Sequence, residues 1–202
     1  MAVKDHSLDD KIVAAAKAEF MEHGFRKASL HKIADRAGTT TGALYTRYKS
    51  KDALFCSLVE GAFCGLGPRI EGFRQSYLDA QKSGSAQTLL AALQQEEQFY
   101  LDLLFEHYEE CVLFFCRSDG SSIQTMLEQM LERKATQTIH YLKSIAKRDC
   151  NLDGLEFILR EQFRYYRLVL EKGCDKQQAM ACMGFVEHFL EAGWKELFEQ
   201  IL

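Results

Sequence analysis

The sequence predicts an all-α protein, and three observations carry that reading. Pro68 is the single proline among 202 residues, and proline costs roughly 3 kcal/mol inside a helix. Apolar residues recur three and four apart through long stretches, the spacing of one helix face. The breaks between them are short and hold Gly, Ser, Asn or Asp. No strand alternation, internal repeat or low-complexity tract interrupts the pattern.

The elements follow in order. Ser7 is positioned to cap a first helix, with Asp9 and Asp10 near its positive end and Ile12, Ala15, Ala16 and Phe20 on one face. Gly24 closes it and Phe25 anchors the next turn. Ser29 caps a short second helix whose apolar positions are Leu30, Ile33, Ala34 and Ala37, ended by Gly38. Thr39 and Thr40 turn the chain into a third short helix, about 41–48, that buries Leu44 and Tyr48. Ser50 caps a fourth helix with Leu54, Phe55 and Leu58 on one face.

Gly65-Leu66-Gly67-Pro68 interrupts that helix, and Pro68 suits the first turn of a restarted one. Ser83-Gly84-Ser85 precedes a helix over about 86–106. Further helices are expected over 108–117, 122–147, 153–172 and 176–201, separated by Asp119-Gly120, Asn151 to Gly154, and Gly173. The total is nine or ten.

Composition narrows the function classes. Apolar residues make up 47% and charged residues 27%, which excludes a disordered chain. No run of about 18 apolar residues suggests a membrane span, and the N-terminus lacks a signal-peptide pattern. Seven scattered cysteines, at 56, 64, 111, 116, 150, 174 and 182, fit reduced thiols in a cytoplasmic protein. The charge is uneven. Residues 1–55 hold ten Lys/Arg against seven Asp/Glu, whereas the remainder holds fifteen against twenty-two. A basic head on an acidic body is expected where only the head meets phosphate.

Three short helices with a glycine-containing turn have the proportions of a helix-turn-helix. Such a unit needs a recognition helix braced from behind so that its outer face can enter the major groove. Leu44 and Tyr48, four apart, can brace it. That leaves Thr40, Thr41, Gly42, Tyr45 and Arg47 near the DNA side. Their hydroxyls can bond phosphates or base edges, and a threonine methyl can meet a thymine methyl. Gly42 allows either close backbone approach to DNA or simple relief of packing. Lys51 stands at the wrong end of a helix for the dipole. A bound phosphate would justify it, and a solvated surface lysine is the alternative. Ser29 reads as a cap that could also touch phosphate.

The run Ile33-Ala34-Asp35-Arg36-Ala37-Gly38-Thr39-Thr40-Thr41-Gly42-Ala43-Leu44-Tyr45-Thr46-Arg47-Tyr48-Lys49-Ser50-Lys51-Asp52-Ala53-Leu54 resembles the DNA-binding domain of TetR-family regulators. Ala18-Glu19-Phe20 and Gly24-Phe25 to Ser29 fit the same family. The resemblance implies DNA contacts from Ser29, Thr40, Thr41, Gly42, Tyr45 and Lys51. Arg47 stands where the family often has histidine. The resemblance also implies a homodimer that reads a near-palindromic operator in double-stranded DNA, as a repressor released by a small-molecule effector. It covers only the head; beyond it just the helical layout matches.

The expected architecture is therefore a helix-turn-helix domain over 1–55 and a helical effector-binding and dimerisation domain over 56–202. Phe163, Tyr166, Phe185, Phe189 and Trp194 are candidates for the dimer interface, with packing inside one chain as the alternative. Phe99, Phe105, Tyr108, Cys111 and Phe115 are candidates for lining an effector pocket, with ordinary core as the alternative. Gly65 to Pro68 reads as a hinge or as a fixed kink. Glu106, His107, Glu109 and Glu110 read as a solvated acidic face rather than metal ligands. No catalytic motif, phosphate loop or HExxH occurs, so no catalytic residue, metal or cofactor is expected.

Overall fold

A computed structural model describes residues 6–64, 66–83, 85–147 and 152–201. Gly65, Gly84, Cys150 and Asn151, which figured in the expectations above, lie outside the described residues. Ten α-helices and no strands occur among the described residues: α1 (His6–Lys27), α2 (Leu30–Arg36), α3 (Thr41–Arg47), α4 (Lys51–Phe63), α5 (Gly67–Ser83), α6 (Ala86–Glu106), α7 (Tyr108–Cys116), α8 (Ser122–Ile145), α9 (Leu155–Glu171) and α10 (Lys176–Ile201). None is long and apolar enough to cross a membrane.

The helices divide into two units. The first joins the described residues up to Cys64 with Glu109–Leu127; the second joins residues from Leu66 to Tyr108 with those from Glu128 onward. The boundary expected after residue 55 falls inside α4, whose Phe55, Leu58 and Val59 are buried in the first unit's core.

In the first unit α1 packs on α2 and α4, and α2 on α3. Ile12, Ala16, Phe20, Ile33, Leu44, Leu54 and Phe55 are buried together with Leu113, Phe114 and Ile123. The Phe20 and Phe55 rings meet edge to face, with centroids 4.9 Å apart, a favoured aromatic geometry. His6 is already helical, so Ser7 lies inside α1 and not at its cap. The break at Gly24 is present as a residue with φ of 70° within α1, a conformation that favours glycine. It frees the Phe25 N–H to donate to the Arg117 carbonyl at 2.7 Å.

Polar bonds attach the later segment to the head. Lys17 is paired with Glu109 and Glu110. Burial pulls its pKa down, but the two carboxylates outweigh that and leave it raised. Arg117 Nε donates to the Met21 carbonyl at 2.9 Å. At the start of α8, Ser122 donates its N–H and its hydroxyl to Asp52 of α4, at 2.8 and 2.6 Å. A carboxylate from 70 residues earlier thus caps this helix.

In the second unit α6 packs on α5 and α10, and α9 on α10. Leu89, Leu142, Leu155, Leu159, Phe198 and Ile201 form its core with Trp194. Beside this core Glu96 is buried and accepts hydrogen bonds from Tyr77, Tyr100 and Lys134. Burial pushes its pKa up, but Lys134 and the three hydrogen bonds win and hold it below the ordinary value.

Candidate nucleic-acid interface

Local capping builds the helix-turn-helix. Ser29 Oγ accepts from the Lys32 N–H at 3.5 Å and starts α2. Gly38, with φ of 67°, turns the chain after α2, where a residue with a Cβ would be strained. Thr40 Oγ1 then accepts from the Ala43 N–H at 3.2 Å and starts α3, and Ser50 Oγ accepts from the Ala53 N–H at 3.0 Å to start α4. These bonds satisfy amides that a helix start leaves unpaired.

Leu44 is buried and holds α3 against the core, with Tyr48 half-buried behind it. Thr40, Gly42 and Tyr45 are exposed and Thr41 is half-buried; Tyr45 is 55% exposed. A Cβ on Gly42 would meet only Thr40 Oγ1, at an ordinary 3.7 Å. Packing within the chain therefore does not require glycine there.

Arg47 is engaged within the chain. Its guanidinium turns back to Asp9 of α1 and to the Ala43 carbonyl, and it is half-buried. It braces α3 against α1. Lys51 sits over the Phe25 ring, 4.8 Å from its centroid, and donates to the Arg26 carbonyl at 3.3 Å. Burial lowers its pKa, and the charge of Glu19 raises it part of the way back.

Glu19, which the sequence reading placed within the family resemblance but gave no role of its own, is a further candidate. It is 1% exposed, and its Oε1 accepts from the Ser29 N–H at 3.1 Å. The signal was available: an acid stands on the apolar face of α1, between Ala16 and Phe20.

The other expected sites regroup. Of the five pocket candidates, Cys111 and Phe115 belong to the first unit, while Phe99, Phe105 and Tyr108 belong to the second. Burial pushes the Cys111 thiol up to about 12, so it is held as the neutral thiol. The second unit has an open groove of about 140 Å³ between α6 and α10, walled by Leu90, Leu93, Glu97, Glu187, His188 and Trp194. Of the five dimer candidates, Phe163, Tyr166 and Trp194 are buried within the chain itself: Phe163 and Tyr166 pack on the Tyr100 ring, and Trp194 stacks on Phe198. Phe185 and Phe189 are each 74% exposed. Among the described residues no three His, Cys, Asp or Glu side chains gather as metal ligands would.

Residues 12–58 match the family model described as bacterial regulatory proteins, tetR family. Among solved structures the chain is similar to a TetR-like transcriptional regulator from Rhodococcus sp. RHA1, at 16% identity and a TM-score of 0.53, covering 96% of this chain and 94% of that one. It is also similar to the fatty acid degradation regulator FadR from Bacillus halodurans, at 17% identity and a TM-score of 0.49, covering 94% and 97%. The first of these supports a shared fold over nearly the whole chain. None of the curated proteins matches it.

Proposed function

We propose that this chain, which belongs to the bacterial tetR family of DNA-binding transcriptional regulators, acts as a dimeric repressor released from its operator by a small molecule. The carrying observation is the outer side of α3: Thr40, Gly42 and Tyr45 are exposed while Leu44 is anchored in the core. A helix braced on one side and furnished with hydroxyls and a bare backbone on the other fits a major groove. In this reading Thr41, Gly42 and Tyr45 read base edges, and Ser29, Thr40 and Lys51 contact phosphate. Arg47 supports α3 from behind.

Dimerisation is supported by the apolar side chains that α9 and α10 leave exposed, Phe157, Ile158, Phe185 and Phe189. Large apolar side chains left exposed on two helices that pack together are what an interface would cover. Two copies would present two recognition helices to successive major-groove faces, roughly 34–36 Å apart or a multiple of that, and so read a near-palindrome. The effector enters the second unit, whose interior combines aromatic walls with a few polar groups.

The test is selection of bound duplexes from a random DNA pool by the full chain, followed by a screen for small molecules that release the selected duplex. Recovery of a two-fold symmetric sequence is expected. Thr41→Ala and Tyr45→Ala should then change which sequence is selected. Recovery of no sequence above the starting pool would sink the reading.

A further inference from the structure

We propose that Glu19 is a positioning residue for DNA binding: its buried carboxylate fixes the Ser29 backbone, and with it the corner between α1 and α2, at the expense of head stability. The inference rests on the DNA-binding reading above.

Glu19 occupies a position that the pattern of α1 reserves for an apolar side chain, alongside Ile12, Ala15, Ala16 and Phe20, all buried. Removing a carboxylate from water is unfavourable unless its oxygens find donors. Oε1 has one, the Ser29 N–H. Oε2 is buried and has no hydrogen-bond donor among the described residues. The ring of His23 one turn on lies 3.8 Å away, too far for a hydrogen bond. An apolar side chain would relieve that deficit at the cost of the acceptor for one amide, on the half-buried Ser29, so stability alone does not account for the acid.

Its single bond is made at a telling place. Ser29 caps α2 and is one of the proposed phosphate contacts, and the corner it follows contains Phe25 and Arg26. Those two residues hold the Lys51 ammonium through a ring face and a carbonyl. The charge of Glu19 also reaches Lys51. One buried carboxylate therefore stands behind two phosphate contacts that come from different helices. Losing it would let the corner shift, and a phosphate clamp works only when its parts are held in register.

The experiment compares the full-length parent with Glu19→Leu and Glu19→Gln. Each is measured for its thermal midpoint and for its affinity toward a mixed-sequence duplex of about 30 base pairs at low salt, where phosphate contacts dominate. Glu19→Leu should melt no lower than the parent yet bind more weakly, on the order of fivefold to tenfold, the loss expected for a displaced charge-assisted contact. Glu19→Gln keeps an oxygen that can accept from Ser29, and should recover most of the parent affinity. Three results overturn the proposal: Glu19→Leu binding as the parent does, Glu19→Leu unfolding or melting lower, or Glu19→Gln binding as weakly as Glu19→Leu. Failure of the parent itself to bind any duplex removes the DNA-binding reading, and this proposal with it, before any variant is compared.

Discussion

Arg47 and Lys51 are four residues apart and carry the same charge, yet one is committed to the fold and the other is available. The Arg47 guanidinium is bonded to Asp9 and to the Ala43 carbonyl, whereas Lys51 makes one long bond to a carbonyl and rests on a ring. Replacing each by alanine should separate the two roles. Arg47→Ala is expected to lower stability by about 1–2 kcal/mol, the scale of a charge-assisted hydrogen bond that is partly buried, with the salt dependence of DNA binding unchanged. Lys51→Ala should leave the urea midpoint nearly untouched. It should weaken binding to all sequences and reduce the slope of log affinity against log salt by about 1 per protomer. A Lys51→Ala protein with the parent slope would remove Lys51 from the phosphate contacts.

Three helix starts were legible from a local signal, though the same kind of signal misplaced Ser7, which lies inside α1. Ser29, Thr40 and Ser50 each accept from an amide three residues on, and a cap with that spacing can be read from sequence. Asp52 shows what could not be. It caps α8 from another helix, and no local pattern links residues 52 and 122. The same holds for Phe114, an evident core residue whose partner Phe63, with ring centroids 4.6 Å apart, is distant in sequence. The aromatic candidates of the later helices were identified correctly as large and apolar, but helical spacing does not say whether a face meets its own chain or another. Phe163 and Phe185 look alike in sequence, and only one is buried. At this scale the prediction concerns Asp52→Ala, which should cost about 1 kcal/mol, as the loss of a cap does. Hydrogen exchange should speed up first at the amides of Ser122 to Gln124, and Asp52→Asn should restore part of the protection.

For the whole molecule, two measurements bear on assembly and on pH. Phe185→Glu combined with Phe189→Glu places charge on the most exposed apolar side chains of α10. The protein should stay helical by circular dichroism, sediment as a monomer, and lose operator affinity by a factor of about 100 or more, since a second recognition helix is no longer tethered to the first. Sedimentation as an unchanged dimer would rule out this face.

Glu97 is pushed up to about 7, chiefly by burial and then by the charges of Glu187 and Glu96, with Lys134 opposing. Unfolded, it ionises near the ordinary 4.5. Between those values the folded chain holds a proton that the unfolded chain has released. Stability from this site is therefore present below about 4.5, falls as pH rises, and levels off above about 7. Burial raises Glu187 as well, with the same sign, whereas Glu96 is lowered and acts at the acid end. Glu97→Gln should gain thermal stability relative to the parent at pH 8 and lose that advantage at pH 5. Parallel midpoints for the two proteins across that range would contradict the assignment.

The first unit's two chain stretches bear on how portable the head is. Leu113, Phe114 and Ile123 share the core that buries Phe20 and Phe55, so the head is not a cassette that ends with its fourth helix. Cut at residue 64, it would lose one wall of that core together with the partners of Lys17 and Asp52. A chimaera that grafts this head onto another regulator should therefore carry residues 109–127 as well. The shorter graft should bind an apolar dye and be cleaved faster by proteases. The helix-turn-helix is one continuous run of residues, but the unit that holds it in shape is built from two separate stretches of the chain.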